Sequence, residues 1–213
     1  MHTRFTQMDN AFDALSTEEK QQQFNEFFLI KHKLNVNVRP IEKNQVPELS
    51  MLDENMPYAF KIAGELASIE AQALRPLRNL SSHAAELSQF LNAQARKIDL
   101  MMSYILHQQD DESFRFVSLR FGGGGIEVIS DQPMNLGVCV ELRIFLTEEA
   151  SAVFCYAEVI SCEVEESTDN EPTYKVAFIY SRIRETDQEL LVRASLHLQA
   201  QQLRKRSEIT RKQ

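Results

Sequence analysis

Hydrophobic and polar positions follow three different rhythms along this chain of 213 residues. The first is a short alternation: Leu34, Val36 and Val38 interleave with Lys33, Asn35, Asn37 and Arg39. This pattern predicts a half-buried strand ended by Pro40. Ahead of it, Ser16-Thr17-Glu18-Glu19 has the spacing of a capping box. It predicts a short helix running to about Phe28. Residues 41–56, with Pro47 and several acids, read as a connecting loop.

From Pro57 the period changes. Proline suits a first helical turn, and only Gly64 and Pro76 interrupt the stretch before Asp110. Apolar residues recur at Ile62, Leu66, Ile69 and Ala73, then at Leu77, Leu80, Ala84, Leu87, Leu91, Ile98, Met101 and Ile105, with Gln94 in register. Beyond Leu77 the steps of three and four describe a heptad seam. Between Leu66 and Leu80 the steps form a stutter, and Pro76 there predicts a kink or break. At about 1.5 Å per residue the regular part would be roughly 42 Å long, more than a small domain needs for its own core. Gln94 either sets register and oligomer order or marks a looser point beside Ala93 and Ala95.

With Leu77 as position a, the flanking e and g positions are Ser81, His83, Ser88, Phe90, Ala95, Lys97, Met102 and Tyr104. Charge pairs would be ordinary there; Phe90, Ala95, Met102, Tyr104 and nearby Leu100 instead widen the apolar face. The carboxyl end of the helix is expected to be covered on more than one side, by several helices or by helices plus the following domain. Self-association fits this better than a helix lying on its own domain.

After Asp111 alternation returns. Phe114–Leu119 predicts a strand, followed by Gly122–Gly125, four of the chain's six glycines, and then Ile126–Ser130. The glycines predict a tight, bulged corner between strands, or a backbone surface that meets a phosphate or a partner. A Walker-type loop is excluded, since no Lys-Ser/Thr follows and the run opens a strand. Val138, Val140, Leu142, Ile144 and Leu146 alternate with more polar neighbours. From Ala152 to Glu163 a strand long enough to bend puts Phe154, Tyr156, Ile160 and Cys162 on one face, and Val153, Cys155, Ala157 and Val159 on the other. Tyr174, Val176, Phe178 and Tyr180 mark another strand. Together these predict a small antiparallel barrel. Thr186-Asp187-Gln188-Glu189 has capping-box spacing ahead of a closing helix with Leu190, Leu191, Ala194, Leu198 and Leu203.

Charge and composition narrow the function. A formal net charge of −8 argues against broad nucleic-acid binding. The basic end, Arg204-Lys205-Arg206 and Arg211-Lys212, reads as a solvated tail. No apolar run is long enough for a membrane span and the polar start is not a secretory signal, so the cytoplasm is expected. Cys139, Cys155 and Cys162 lie in strand-like runs and read as small buried hydrophobes. His2, His32, His83, His107 and His197 have no metal-ligand spacing. The carboxylates of Asp110-Asp111-Glu112 read as a solvated loop. No grouping suggests nucleophilic catalysis or an enzyme.

The glycine corner after an early strand, the Leu136-Gly137 turn into Val138–Leu146, Glu158-Val159, Val176-Ala177-Phe178 and a closing helix together resemble the PilZ domain. The likeness is clearest over residues 119–206, and Phe27-Phe28-Leu29-Ile30 with Leu34–Val38 is similar to the way that family begins. The resemblance implies an α+β fold: a six-stranded or similar barrel formed by residues 24–40 and 112–182, with a long coiled-coil-like helix inserted and a C-terminal helix. The expected layout is a polar segment over 1–23, the first barrel strand region over 24–40, the loop and long helix over 41–111, the barrel and closing helix over 112–206, and a basic tail over 207–213. It further implies bacterial cyclic di-GMP signalling, in an atypical branch assembled by the helix.

The family's two ligand-clamping arginines fall here near Asn25 and Leu29, and at the corner only Gly125 matches, with Arg120 and Gly122 in the Asp/Asn and Ser places. Without those cations the usual mode of binding loses its strongest charge-assisted bonds. Arg120 reads either as the cation of a non-standard anion site with Gly122, Gly123, Gly124 and Gly125, or as an exposed strand-end arginine; Arg115, Arg182 and Arg184 are candidates to surround the same mouth. The expectation is an oligomeric, non-catalytic adaptor that binds itself and an unknown regulatory protein, requires no cofactor, inserts in no membrane and binds no nucleic acid. The alternatives are a cyclic di-GMP receptor using that corner, or a purely structural scaffold.

Overall fold

A computed structural model of the chain describes residues 12–77, 85–165 and 172–210. Helix α1 (Thr17–Glu26) starts at the expected capping box: Ser16 Oγ accepts from the Glu19 amide, and the Glu19 carboxylate accepts from the Ser16 amide. It ends earlier than Phe28, because Phe27 is already extended.

Seven strands follow: β1 (Leu29–Lys31), β2 (Asn35–Ile41), β3 (Arg115–Gly122), β4 (Gly125–Ser130), β5 (Cys139–Leu146), β6 (Ser151–Glu165) and β7 (Thr173–Arg182). They run in the order β1-β3-β2-β5-β6-β7-β4, every pairing antiparallel, and β4 returns to β3. The result is a closed six-stranded barrel on which β1 is a short extension of β2. Both pair with β3, Leu29–Lys31 against Gly122–Arg120 and Asn35–Asn37 against Val117–Arg115. Ser118 fills the break between them: its hydroxyl accepts from the Leu34 amide and donates to the His32 carbonyl, each at 2.8 Å.

Strand alternation builds the two larger of three buried clusters, the third lying beneath α1 around Phe24 and Ile160. Val36, Val38, Val140, Leu142, Ile144, Val153, Cys155, Ala157 and Val159 fill the barrel. Phe145, Ala152, Phe154 and Tyr156 face outward and pack beneath helices. The bend expected in β6 exists as irregularities at Tyr156/Ala157 and Val159/Ser161. The second resets the alternation, so Cys162 packs against the barrel core and not on the Phe154 face as expected. Cys139 and Cys155 are buried and Cys162 is half-buried.

The helical insertion differs from a single rod. After the short α2 (Leu52–Asn55) come α3 (Tyr58–Leu77), which includes Pro76, and α4 (Ala85–His107). Leu80 and Ala84 lie outside the described residues. Phe60 and Ala63 of α3 share a buried cluster with Met102 and Leu106 of α4. Leu66, Ala67 and Ile69 line a hollow with Ala95 and Ile98. The amino half of α3 thus meets the carboxyl half of α4, and the two form an antiparallel hairpin lying on β6.

Helix α5 (Glu185–Thr210) covers the barrel through Leu190, Leu191, Ala194 and Leu198, whereas Leu203 is exposed. The expected second capping box is not the start. The helix already includes Thr186, and Asp187 is held by Arg184 through Nε and Nη2 at 2.7 and 2.9 Å. Arg184 also reaches Asp53 at 3.3 Å, tying α2 to α5.

Candidate functional site

Gly122–Gly125 form the turn from β3 into β4, and all four are buried. None has positive φ; the one glycine that does is Gly137, in its predicted turn. The corner requires glycine because other parts of the chain approach too closely. A Cβ at Gly122 would stand 2.1 Å from the Phe28 carbonyl oxygen, and one at Gly125 2.2 Å from that of Phe178. At Gly123 it would meet Val192, and at Gly124 the ring of Phe27. The polar groups are engaged too: the Gly123 carbonyl accepts from Gln188 Nε2 at 2.9 Å, and the Gly124 carbonyl from the Tyr180 amide at 3.2 Å. The segment from Phe24 to Leu29 and helix α5 enclose the corner from two sides.

Arg120 points away from this packing. Its guanidinium grips the carboxylate of Glu127 with both Nε, at 2.6 Å, and Nη2. The hydrogen bond and charge of Glu127 push the Arg120 pKa up, so the cation is permanent and already matched. The surrounding shallow hollow holds Lys31, Arg120 and Lys175 against Glu127 and Glu165, and none of the four glycines lines it. Lys175 is paired in turn with Glu163 at 2.7 Å. Arg120 and the glycines are thus adjacent in sequence but face different surroundings.

The other arginines do not join it. Arg115 binds Asp110 at 2.9 Å, Arg182 binds Asp13 at 2.8 Å, and Arg184 binds Asp187 and Asp53. Asp110, expected in a solvated loop, is instead a buried anchor that also accepts from Asn37 Nδ2 at 2.8 Å. Asn25 is exposed on α1 and Leu29 lies opposite Gly122, so neither arginine position of the resemblance carries a cation. A cleft of about 800 Å³ opens at the other end of β3. It is walled by Phe114, Phe116, Val117 and Met134 with Lys33 and Arg115; the sequence marked most of them as strand residues but did not bring them together as a cleft. Among the described residues no group of three or more metal-ligating side chains occurs, and no helix is long and apolar enough to cross a membrane.

The heptad seam is where unsatisfied apolar surface gathers. Met102 and Leu106 supply the inward face of α4. One residue turns a helix by about 100°, so the neighbouring seam positions look elsewhere. Leu87 is 55% exposed and Met101 66%, and Leu91, Ile98 and Ile105 are exposed with them, while Gln94 is half-buried. Phe90, Leu100 and Tyr104 extend the same surface. The side chain of Leu77 is not among those described. The expectation that this end is covered on more than one side is met on one side, by the barrel and α3.

No family model and no curated protein matches this chain. Solved structures do. A Xanthomonas campestris pathogenic protein, described as a tetrameric PilZ domain self-assembled through a helical bundle, aligns with a TM-score of 0.51 at 16% identity. The alignment covers 86% of this chain and 96% of that one. The Bacillus subtilis inhibitor of motility MotI/DgrA aligns at 15% identity and a TM-score of 0.43 over 83% of this chain, which spans about half of that protein, 51%. The PilZ domain of YcgR from Escherichia coli, solved with c-di-GMP, aligns at 17% identity and a TM-score of 0.38, covering 44% of this chain and 77% of that one. At these identities the likeness speaks for the fold, and the Xanthomonas structure carries it.

Proposed function

We propose that this chain, whose fold is that of a PilZ domain, is a non-catalytic, homo-oligomeric adaptor in cyclic di-GMP-linked bacterial regulation of motility, pili or surface attachment. The observation that carries the reading is the exposed face of α4. Soluble monomers rarely leave so large a contiguous apolar surface in water. Burying each such side chain is worth about 1.5–3 kcal/mol. A second copy presents the same heptad seam, so the face is complementary to itself. The assembly of the Xanthomonas protein through a helical bundle supports this reading.

The adaptor role, as opposed to a receptor, is supported by the fate of the candidate ligand groups. Arg120 is matched by Glu127, and the glycines are enclosed. Each charge-assisted contact to phosphate is worth roughly 1.5–3 kcal/mol. Losing two weakens binding by about two or more orders of magnitude. Titration calorimetry with cyclic di-GMP is therefore expected to show no micromolar binding; tight binding lost in Arg120→Ala would establish the receptor at the corner instead.

The test of assembly is light scattering at micromolar concentration. The wild-type chain is expected as an oligomer, and Leu87→Asp with Leu91→Asp as a smaller species with unchanged β circular dichroism. A monomeric wild type would overturn the proposal.

A further inference from the structure

The α3–α4 hairpin leaves a hollow of about 110 Å³ where it lies on the β5–β6 corner. Its walls are mostly apolar, with Leu66, Ala67 and Ile69 of α3 facing Ala95 and Ile98 of α4. Ile69 and Ile98 are exposed, so the hollow opens beside the heptad seam. Polar groups also line it: Asp99, Glu149 and Ser151. Glu149 Oε1 and the Ser151 hydroxyl are withdrawn from water without a hydrogen bond, and Ser151 as a whole is 3% exposed. Buried polar atoms left in this state are uncommon in a folded chain. Among the described residues, the one basic group within ion-pair distance of either carboxylate is His197, its Nδ1 3.8 Å from Glu149. Asp99 makes no ion pair among them.

Such a hollow suits the end of a lysine side chain. A volume of about 110 Å³ holds roughly four groups at about 30 Å³ each, the number a lysine offers in Cγ, Cδ, Cε and Nζ. Lysine lays its methylene stem along apolar walls and brings its ammonium to polar ones. Histidine aside, Lys97 is the one charged residue among the e and g positions that flank the seam from Ser81 to Tyr104. It is exposed and makes no ion pair among the described residues. Two residues separate it from both Ala95 and Asp99, which sets it about 160° from each around the helix. Lys97 therefore faces away from the hollow of its own chain.

We propose that Lys97 of a second copy of this chain enters the hollow and pairs with Asp99 and Glu149. In parallel, in-register helices a g position lies beside the e position of its neighbour's next heptad. That register sets Lys97 beside Met102 and Phe90 beside Ala95, the two e positions that line the hollow. The exposed ring of Phe90 covers one end while Lys97 fills the other. The same register sets Gln94 against Gln94, where the two half-buried amides bond each other. An ammonium brought to two carboxylates between apolar walls forms charge-assisted bonds, which are stronger than neutral ones. The site is incomplete in a single chain. This inference rests on the assembly reading and names the contact that fixes its register.

The test combines sedimentation with carbodiimide coupling, both on the full chain. Lys97→Met, at a position exposed in the separate chain, should leave circular dichroism unchanged and raise the dissociation constant of the assembly at least about tenfold. Asp99→Asn should act alike; if it proves misfolded, the Lys97→Met result decides. Glu149→Gln should also weaken the assembly, although it relieves the separate chain of a buried charge. Carbodiimide applied to a mixture of isotopically labelled and unlabelled chains should join Lys97 to Asp99 or Glu149 in peptides of mixed label. Links confined to one chain, no link, or a dissociation constant unchanged by Lys97→Met would each overturn the inference. A monomeric wild type would remove the assembly reading and this site together, whereas an assembled wild type without the link overturns this inference alone.

Discussion

Lys20 Nζ lies 2.9 and 2.7 Å from the two carboxylate oxygens of Glu158, and both side chains are almost wholly withdrawn from water. The pair joins α1 to β6 across 138 residues of sequence. Gln21 Nε2 donates to the Ile160 carbonyl at 2.7 Å beside it, and Phe24 packs on Ile160, Ala177 and Ile179. Removing one partner strands a buried charge, which costs about 3–5 kcal/mol. Lys20→Met is therefore expected to lower stability by that amount in urea unfolding. Lys20→Met with Glu158→Leu should recover most of the loss, because no charge is left unpaired. A double variant as unstable as the single one would refute the pairing.

The glycine corner makes a prediction of its own. At Gly124 the obstacle to a Cβ is the ring of Phe27, at 2.2 Å, a side chain that is partly exposed and can move. At Gly125 it is the Phe178 carbonyl, part of the β4–β7 ladder. Gly124→Ala should cost about 1–3 kcal/mol and be partly rescued by Phe27→Ala. Gly125→Ala should cost more and not be rescued by that change. Thermal melting of the four variants distinguishes side-chain crowding from backbone crowding.

Adjacent methionines on α4 separate packing within the fold from the proposed assembly. Met102 is 3% exposed within the cluster of Phe60, Phe154 and Leu106, while Met101 is 66% exposed. Met102→Ala is expected to destabilise the fold by about 2–5 kcal/mol. Met101→Ala should change the unfolding of the barrel by no more than about 0.5 kcal/mol yet raise the dissociation constant of the proposed assembly. Denaturation and sedimentation measured on the same samples check both.

Glu149 gives a pH dependence. Burial, reinforced by the charge of Glu148, pushes its pKa up, against the milder pull of His197 at 3.8 Å. The folded chain therefore holds this proton more tightly than the unfolded chain does. Its contribution to stability is most favourable below the ordinary carboxylate range and is lost as pH rises through the raised value. Asp187 is raised by burial in the same sense, with Arg184 opposing. Glu149→Gln should be more stable than wild type near neutral pH, and the difference should vanish below about pH 4. Urea midpoints across that range measure it; an advantage that persisted in acid would refute the role of ionisation.

Local pattern determined much of this protein. Alternation at Val138–Leu146 and along β6 as far as Val159 placed the right side chains inside the barrel, because parity sets a strand's faces until an irregularity resets it, as it does before Cys162. The Ser16 cap and the Gly137 turn were legible because their causes lie within a few residues. The heptad seam was legible as apolar surface, though not its direction. Whether Met101 or Met102 faces the barrel depends on where Phe60, Phe145 and Phe154 arrive from other elements. Likewise four glycines in a row announced close approach, but the approaching groups come from Phe27, Phe28, Phe178 and Val192. Arg120 looked available because its neighbours are glycines; the β3–β4 register brings Glu127 opposite it. The Lys20–Glu158 pair has no local signature at all. Only tertiary structure decided these points, because chain closure brings together groups far apart in sequence, and burial then decides which charges are matched and which apolar faces remain in water.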